Sequence, residues 1–418
     1  MFELAPQEGK NVYGASIKVL GVGGAGGNAV NSMIEAGLPG IEFIVANTDA
    51  QALNQSKSST KIQLGEKLTK GLGSGAHPDI GRRAAQEDIE HIIKEIGDAD
   101  IVFLTAGMGG GTGSGALPVI ARSLKERGIL SIAIVTRPFL FEGKHRSRVA
   151  QEAIDLLSNE VDTLVVVSNQ KLLETVDRSV SMINAFDIIN KMLYQSVKSI
   201  ADIIINPGHI NVDFADIKSI MKDMGIAVIG TGRGTGTDRA AEAALQAIAS
   251  PLLENISIEG AHSVLLNITG GLDLGLHEIH EAAALIQEQA APHANIIIGS
   301  VIDPQLTDEM IVTVIATGFE PVQIPHVNVT KALDNQTTED ILKADNQNNA
   351  KVIEEAIKLN QKSEQVIAVV SLPKETLRAE LPSKIDVASI KLDKQSTSDD
   401  FDIPAFMRKE GNVTQAKD

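Results

Sequence analysis

Two glycine clusters are the residues of this sequence best suited to bind a charged ligand. The first glycine cluster, residues 21–28, reads GVGGAGGN, follows an apolar run and satisfies the pattern G-x-G-x-x-G. Glycine lets the backbone approach an anion closely, and the free N–H groups at a helix N-terminus favour negative charge. The cluster predicts a phosphate-binding turn, although a merely tight strand-to-helix turn has the same pattern.

The second glycine cluster, residues 107–115, reads GMGGGTGSG, also follows an apolar run and also precedes a helix-like stretch. Six glycines in nine residues are unfavourable to order unless the main chain must wrap around a ligand. The pattern indicates a di- or triphosphate held by backbone N–H groups without a basic side chain. The P-loop pattern G-x-x-x-x-G-K-[ST] does not occur, which argues against a P-loop enzyme.

A nucleotide-dependent oxidoreductase of the Rossmann type is an alternative function. Asp49 follows the second apolar run, where dinucleotide-binding folds place the acid that binds a ribose. This alternative explains the first glycine cluster but not the second.

Composition excludes several other classes of function. The 418 residues carry a formal charge of -17, which argues against broad binding to nucleic acid or to an anionic membrane. The absence of cysteine excludes disulfides, thiolate catalysis and Cys-based metal sites. No apolar run reaches the roughly 18 residues of a membrane span and no signal peptide is evident, so we expect a cytoplasmic location.

The strands and helices that position the glycine clusters are predicted from the spacing of apolar residues. Short Val/Ile/Leu runs alternate with amphipathic stretches through residues 1–320, which predicts an α/β fold with a mostly parallel sheet covered on both faces. Residues 179–205 predict one long helix with an apolar face, and a second, smaller α/β domain follows it. The apolar face comprises Ile183, Phe186, Leu193, Val197, Ile200 and Ile204.

The composition changes near Glu320. Of 36 glycines only Gly411 lies beyond it, and the polar segment that follows lacks the apolar pattern of a core. We expect a flexible tether there. The closing cluster DDFDIPAFMRK, Asp399 to Lys409, mixes acidic and apolar residues in the manner of a peptide that folds on binding a partner.

Taken together, the motifs resemble those of the cell-division GTPases of the tubulin superfamily. The resemblance covers roughly residues 14–320 and the Asp399 to Lys409 cluster. It is carried, in order, by GVGGAGGNAV, NTDAQAL, KGLGSGA, GMGGGTGSG, FLFEGKHR, NVDFADI and DFDIPAFMR. It implies a tubulin-like fold with a flexible segment at 1–13, a GTP-binding domain at 14–178, a central helix at 179–206, a C-terminal α/β domain at 207–320, a disordered linker at 321–398 and a docking peptide with tail at 399–418.

The resemblance also implies which residues bind GTP. The family contacts nucleotide through both glycine clusters, senses the γ-phosphate through KGLGSGAH, contacts the sugar through FEGKHR and holds guanine on the central helix. The corresponding residues are Gly24, Ala25, Gly26, Gly27, Asn28, Gly73, Ser74, Gly75, Ala76, Gly110, Gly111, Thr112, Gly113, Glu142, Arg146, Phe186 and Asn190.

Two of these assignments have a second interpretation. Glu142 and Arg146 lie four residues apart, so on a helix they could also pair with each other. Asn190 interrupts the apolar face of the long helix, and its amide needs a polar partner, which could be guanine or another group of the helix. Some members of the family have Asp at this position, which accepts from two N–H groups of guanine, and the oxygen of Asn190 can make part of that contact.

In the resembled family, the loop containing Asn211, Asp213 and Asp216 polarises the attacking water. At 1.5 Å per residue, the helix from Asn190 to Asn206 spans about 24 Å, which is too long for these carboxylates and the base to share one site in one chain. The carboxylates would then act on the GTP of a neighbouring subunit. A helix N-cap is an additional role for this loop.

The resemblance further implies partners and a cofactor. A head-to-tail contact that does not close predicts filaments of this chain with itself, and phosphoryl transfer to water is expected to need Mg²⁺. The Asp399 to Lys409 cluster would bind membrane-anchor and regulatory division proteins at mid-cell. Neither nucleic acid nor direct insertion into a membrane is expected.

Two further motifs are interpreted as structural. Residues 230–236, GTGRGTG, form a third glycine cluster, which we predict to be a loop of the second domain away from the nucleotide. His277 and His280 are three residues apart, not the four of H-E-x-x-H, and are assigned to a helix surface.

Overall fold

The computed structural model describes residues 15–175, 179–205, 212–250 and 258–319. These residues form ten strands: β1 Ile17–Val22, β2 Ile41–Asn47, β3 Thr60–Gln63, β4 Ile101–Gly107, β5 Leu130–Arg137, β6 Thr163–Ser168, β7 Gly225–Thr235, β8 Ser263–Gly270, β9 Asn295–Ile302 and β10 Glu309–Thr317.

In the described part of the chain, twelve α-helices connect and flank the strands, together with two short 3₁₀ turns at Leu140–Glu142 and Ile258–Gly260. The helices are α1 Gly23–Ala36, α2 Ala50–Gln55, α3 Glu66–Thr69, α4 Pro78–Glu87, α5 Ile89–Ile96, α6 Thr112–Glu126, α7 Lys144–Ser158, α8 Asn169–Thr175, α9 Met182–Ile205, α10 Phe214–Met221, α11 Arg239–Ile248 and α12 Leu276–Gln289.

The strands form one sheet in the order β3-β2-β1-β4-β5-β6-β7-β10-β8-β9. All neighbouring strands are parallel except β10, which is antiparallel to both β7 and β8. The sheet continues into the C-terminal region because β6 pairs with β7 over three residues, Thr163 to Val165. The α/β fold predicted from the sequence is confirmed.

Apolar side chains are buried on both faces of the first part of the sheet. One core packs β1, β4 and β5 against α1, α9 and α10, and the second packs the other face against α4 to α7. This double cover explains why strands such as β4, whose first six residues are all buried, are almost continuously apolar. A third core, around α11, α12 and β10, stabilises the C-terminal region.

The long helix forms as predicted, but its buried face starts later than predicted. Ile183 is exposed and Phe186 is 42% exposed, whereas Ile189, Leu193 and Val197 are buried in the core beside α1. Ile183 therefore lies on the predicted helix but does not contribute to the core. The first turns of α9 extend beyond the core.

The prediction of a loop at the third glycine cluster is also wrong, because β7 extends through Thr235. A β-carbon on Gly232 would overlap the Ala243 carbonyl, and one on Gly234 would overlap the Arg239 carbonyl. Both carbonyls belong to α11. These glycines therefore let a helix lie directly on a strand, and the role is structural, as expected.

No helix among the described residues is long and apolar enough to cross a membrane. His277 and His280 lie exposed on α12, as predicted. The predicted N-terminal segment, linker and docking peptide lie outside the described residues.

Candidate functional site

A cavity of about 440 Å³ opens where the carboxyl ends of β1, β4 and β5 meet the N-termini of α1 and α6. Cavities of this size accommodate ligands as large as a nucleotide. Its lining residues are Val22, Gly23, Gly24, Ala25, Asn28, Ser74, Ala106, Gly107, Met108, Gly110, Gly111, Thr112, Gly113, Thr136, Pro138, Glu142, Arg146, Asn169, Phe186, Ile189, Asn190 and Leu193.

The two glycine clusters are in direct contact with each other. A β-carbon on Gly107 would lie 2.7 Å from the Ala25 β-carbon, and one on Gly23 would lie 3.1 Å from the Gly113 nitrogen. Side chains at these positions would force the clusters apart. Part of the glycine content therefore brings two helix N-termini to one place.

Other glycines leave space for a ligand. Gly24 and Gly110 both line the cavity, and an added β-carbon at either would meet no protein atom within 4 Å. Backbone N–H groups at the start of α1 and α6 thus border open space without side-chain cover. This is the arrangement that binds phosphate at helix N-termini.

Some predicted residues of the first cluster do not line the cavity. Gly26 is buried behind it, where a β-carbon would lie 2.5 Å from the Thr105 carbonyl oxygen and 3.0 Å from the Gly21 carbonyl carbon. Gly27 faces Val45 at 3.5 Å. Gly26 lets α1 pack on the sheet, and this packing role was not recognised from the sequence.

The loop KGLGSGAH contributes one lining residue, Ser74. Gly73, Gly75 and Ala76 are not among the lining residues, and all three have positive φ angles of 85°, 58° and 62°. A left-handed conformation is unfavourable for Ala76, because its β-carbon crowds the backbone. The loop is held in a tightly specified shape beside the second glycine cluster.

The cationic group at the cavity is already paired. Arg146 Nη1 lies 2.9 Å from Glu142 Oε2, and the other carboxylate oxygen of Glu142 accepts a hydrogen bond from the Phe139 N–H at 2.8 Å. The pairing expected from their spacing is therefore present, and both residues also line the cavity. Arg146 is the single Lys or Arg among the lining residues, so an anion would meet mostly backbone dipoles.

Phe186 and Asn190 lie on the same side of α9 and both line the cavity. Phe139, which is 2% exposed, supports Phe186 edge-on at a ring distance of 5.7 Å and stacks on Phe141 at 4.9 Å. An aromatic face and an amide thus border one end of the cavity. A planar heterocycle with polar edges fits this end.

Asn169 is a cavity residue that the sequence analysis missed. It begins α8 directly after β6, is 5% exposed, and its Oδ1 has no hydrogen-bond partner among the described residues. A buried amide oxygen without a partner is unfavourable unless a ligand donates to it. Its position after a parallel strand was the available signal, because such strand ends share one edge of the sheet.

The predicted catalytic residues lie elsewhere. Asp213 and Asp216 are exposed and do not line the cavity, and Asn211 lies outside the described residues. Asp213 caps α10, since its Oδ1 accepts a hydrogen bond from the Asp216 N–H at 2.8 Å. The expected N-cap is present, and Asp216 keeps its carboxylate on the surface.

Asp49 does not take the place of a ribose-binding acid. Its carboxylate caps α2 by accepting from the N–H groups of Gln51 and Ala52, at 2.9 and 3.2 Å, and it does not line the cavity. The oxidoreductase alternative is therefore unsupported.

Comparison with known proteins is consistent with this geometry. The family model described as "Tubulin/FtsZ family, GTPase domain" matches residues 16–177, and "FtsZ family, C-terminal domain" matches residues 225–320. The solved structure "FtsZ dimer, empty (M. jannaschii)" is 42% identical, with a TM-score of 0.70, and the match covers 74% of this chain and 89% of that one.

Two curated relatives carry the name "Cell division protein FtsZ". The chain is 51% identical over 311 residues to the protein of Caulobacter vibrioides (strain NA1000 / CB15N), covering 74% of this chain and 61% of the relative. It is 53% identical over 303 residues to that of Magnetospirillum gryphiswaldense, covering 72% of this chain and 54% of the relative. The match thus spans 61% and 54% of the length of these two relatives.

Proposed function

Because the chain belongs to the Tubulin/FtsZ family, we propose that it is a GTPase that assembles head to tail with copies of itself and hydrolyses GTP between adjacent subunits. The observation that carries the proposal is the cavity between two glycine-lined helix N-termini, with an aromatic ring and amides at its other end. One end suits phosphates and the other suits a base.

In the proposed complex the phosphates lie against Gly24, Ala25 and residues 110–113. Their charge is met by N–H groups and helix dipoles, which is how a chain with a net charge of -17 can hold a polyanion. Thr112 adds a hydroxyl donor at the start of α6. Arg146 adds the cationic side chain near the sugar.

Phe186 stacks on guanine, and two amides read its edge. Asn190 and Asn169 both border the cavity, and the unpaired Oδ1 of Asn169 can accept from a donor on guanine or ribose. Glu142 accepts from a ribose hydroxyl while keeping its bond to the Phe139 N–H. Gly26 and Gly27 support these contacts from behind. Gly73, Gly75 and Ala76 belong to the loop of Ser74, which would sense the γ-phosphate.

Mg²⁺ is the expected metal cofactor. No cluster of three or more His, Cys, Asp or Glu residues that could hold a metal occurs among the described residues. Mg²⁺ uses few protein carboxylates and is bound largely through substrate phosphates and water. It would supply charge neutralisation along the triphosphate.

Hydrolysis requires a water aligned with the γ-phosphate and a group that polarises it. Asp216 is exposed and not paired with a cation among the described residues, so it can enter the cavity of another subunit. Asp213 caps α10 and holds the loop in place, and Asn211 completes the set. A contact between unlike faces repeats without closing, which produces a filament.

The cellular setting follows from the relatives named as cell division proteins. The filament would form part of the division ring at mid-cell in the cytoplasm. Membrane-anchor and regulatory proteins would bind Asp399 to Lys409, which lies outside the described residues.

The test is the GTP hydrolysis rate as a function of protein concentration. We expect almost no turnover below a threshold and a linear rise above it, accompanied by light scattering, because the site is complete only between subunits. ATP is the control nucleotide and should give neither signal. Turnover strictly proportional to protein at all concentrations would show that one chain suffices, and absence of GTP binding would refute the proposal altogether.

A further inference from the structure

Three hydroxyl groups meet behind the phosphate end of the cavity. Thr48 Oγ1 lies 2.7 Å from Thr112 Oγ1, and Ser74 Oγ lies 3.1 Å from the same Thr112 oxygen. Ser74 and Thr112 line the cavity, whereas Thr48 is fully buried and does not. We refer to these three residues as the hydroxyl relay.

Counting protons shows that the relay presents a donor to the cavity. Three hydroxyls carry three protons but form two hydrogen bonds with each other, so one proton is left over. Either oxygen of the Thr48–Thr112 pair could donate, but Thr112 is the only hydrogen-bond partner of the Thr48 hydroxyl among the described residues. Because Thr48 is fully buried, its proton would have no acceptor unless it is donated to Thr112, so we assign Thr48 as the donor. The hydroxyl proton that is not used within the relay is then on Thr112 or Ser74, the two members that line the cavity, where it can be donated to a ligand.

The backbone fixes the relay in place. The Thr48 carbonyl accepts from the Gly73 N–H and from Thr69 Oγ1, both at 3.2 Å, and the Ala50 N–H donates to the Gly71 carbonyl at 3.1 Å. The segment after β2 and the loop that carries Ser74 are thus joined twice, through the backbone and through Thr112. Because the two segments are held together at both places, the Thr48 hydroxyl has little freedom to rotate away from Thr112.

We propose that Thr48 is a positioning residue whose hydroxyl keeps the Thr112 proton directed at a phosphate oxygen of the bound nucleotide. This inference rests on the proposed function of the cavity. Without ligand, the bonds run from Thr48 to Thr112 to Ser74. With a phosphate, Thr112 donates to the anion and Ser74 reverses to donate to Thr112, which can accept two hydrogen bonds.

The proposal predicts an effect specific to phosphate-bearing ligands. Thr48→Val keeps the shape of the side chain and removes the donor, so GDP affinity should fall about 3- to 10-fold, the range of one net hydrogen bond. Guanosine, which has no phosphate, should bind as it does to the wild type. Thr48→Ser keeps the hydroxyl and should restore GDP affinity.

A double-mutant cycle shows whether Thr48 acts through Thr112. Thr112→Val alone should weaken GDP binding about 10-fold or more, since it removes a hydrogen bond to a charged group. Adding Thr48→Val to it should cause no further loss. The measurements are calorimetric titrations, with thermal melting of the ligand-free proteins as the control for folding.

Each outcome decides the question. If the wild type binds neither GDP nor GTP, the proposed function fails and the relay with it. If the wild type binds but Thr48→Val binds GDP equally well, or loses guanosine in the same proportion, the relay alone is refuted. Should Thr48→Val melt below the assay temperature, Thr48→Ala, which places no methyl group beside the Thr112 oxygen, replaces it.

Discussion

Gly111 packs so tightly against Ser74 that a β-carbon at position 111 would overlap the Ser74 hydroxyl and lie 2.8 Å from the His77 nitrogen. The second glycine cluster and the loop that carries Ser74 therefore touch directly. Neither can shift without the other. Glycine at 111 is required by this contact as well as by any ligand.

Gly111→Ser is accordingly predicted to affect folding as well as nucleotide binding. Overpacking against backbone should destabilise the chain by about 1–3 kcal/mol, and GTP affinity should fall at the same time. Gly110→Ser is the matched control for stability, because a β-carbon there meets no atom within 4 Å. Thermal melting without ligand separates the two, and equal melting temperatures would contradict the packing argument.

Ion pairs around the buried Arg239 predict a second stability effect, in the C-terminal region. The Arg239 side chain is 5% exposed and lies 2.6 Å from both Glu278 and Asp273, which joins α11 to α12 and to the turn before it. Arg239→Met should destabilise the chain by about 1–3 kcal/mol, because it removes charge-assisted hydrogen bonds from a buried guanidinium to two partly exposed carboxylates. The control, Arg148→Met, breaks a pair with Glu152 in which the two side chains are 68% and 63% exposed, and should cost less than about 1 kcal/mol.

The same ion pairs predict a pH dependence. Hydrogen bonds from Arg239 lower the pKa of Glu278 and of Asp273 below their ordinary values, and the bond to Glu278 is the main cause of the raised pKa of Arg239. Carboxyls with a lowered pKa stabilise the fold at neutral pH and lose this contribution as they protonate in acid. The difference in melting temperature between wild type and Arg239→Met should shrink from about pH 7 to about pH 3, whereas a constant difference would contradict the assignment.

The sequence predicted the α/β fold and the place of the cavity, because apolar runs and glycine clusters are strong local signals. It did not separate glycines that admit a ligand from those that admit a helix, so Gly232 and Gly234 were assigned to a loop. A glycine that leaves room for a ligand and a glycine that leaves room for a helix both lack a β-carbon, so the two cannot be distinguished in the sequence. For Asn169 the sequence offers only its position after a strand, whereas its unpaired, buried oxygen is a property of the folded environment.

Arg146 provides a prediction about the charge at the cavity. Arg146→Ala removes the single Lys or Arg side chain among the lining residues, so nucleotide affinity should fall about 10-fold. Arg148→Ala is the matched control, since Arg148 lies on the same helix, pairs with Glu152 and does not line the cavity. Equal affinities of the two variants would show that Arg146 serves only its pair with Glu142.

Asp213, which precedes α10, and Asp216, which lies within it, are predicted to affect stability and hydrolysis differently. Asp213→Ala removes the N-cap and should cost about 1 kcal/mol of stability, with slower hydrolysis as a consequence of a displaced loop. Asp216→Ala removes an exposed carboxylate and should leave melting unchanged while hydrolysis falls. Comparing melting temperature with turnover in polymerised samples distinguishes them. A stable, fully active Asp216→Ala would refute its assigned role.

Mixing two inactive variants tests whether the site is shared between subunits. Asp216→Ala keeps an intact cavity, and Gly110→Leu, whose side chain enters open space at the cavity, keeps an intact Asp216. Each alone should hydrolyse GTP poorly. In a mixed filament, an intact cavity can meet an intact Asp216 of its neighbour, so turnover should exceed the sum of the two separate rates.

Co-sedimentation establishes that both variants enter the polymer. The control is Asp216→Ala mixed with Asp213→Ala, which should show no gain because both variants are impaired in the same loop. If co-assembled Asp216→Ala and Gly110→Leu give only the summed rate, the carboxylate and the cavity do not meet across the interface.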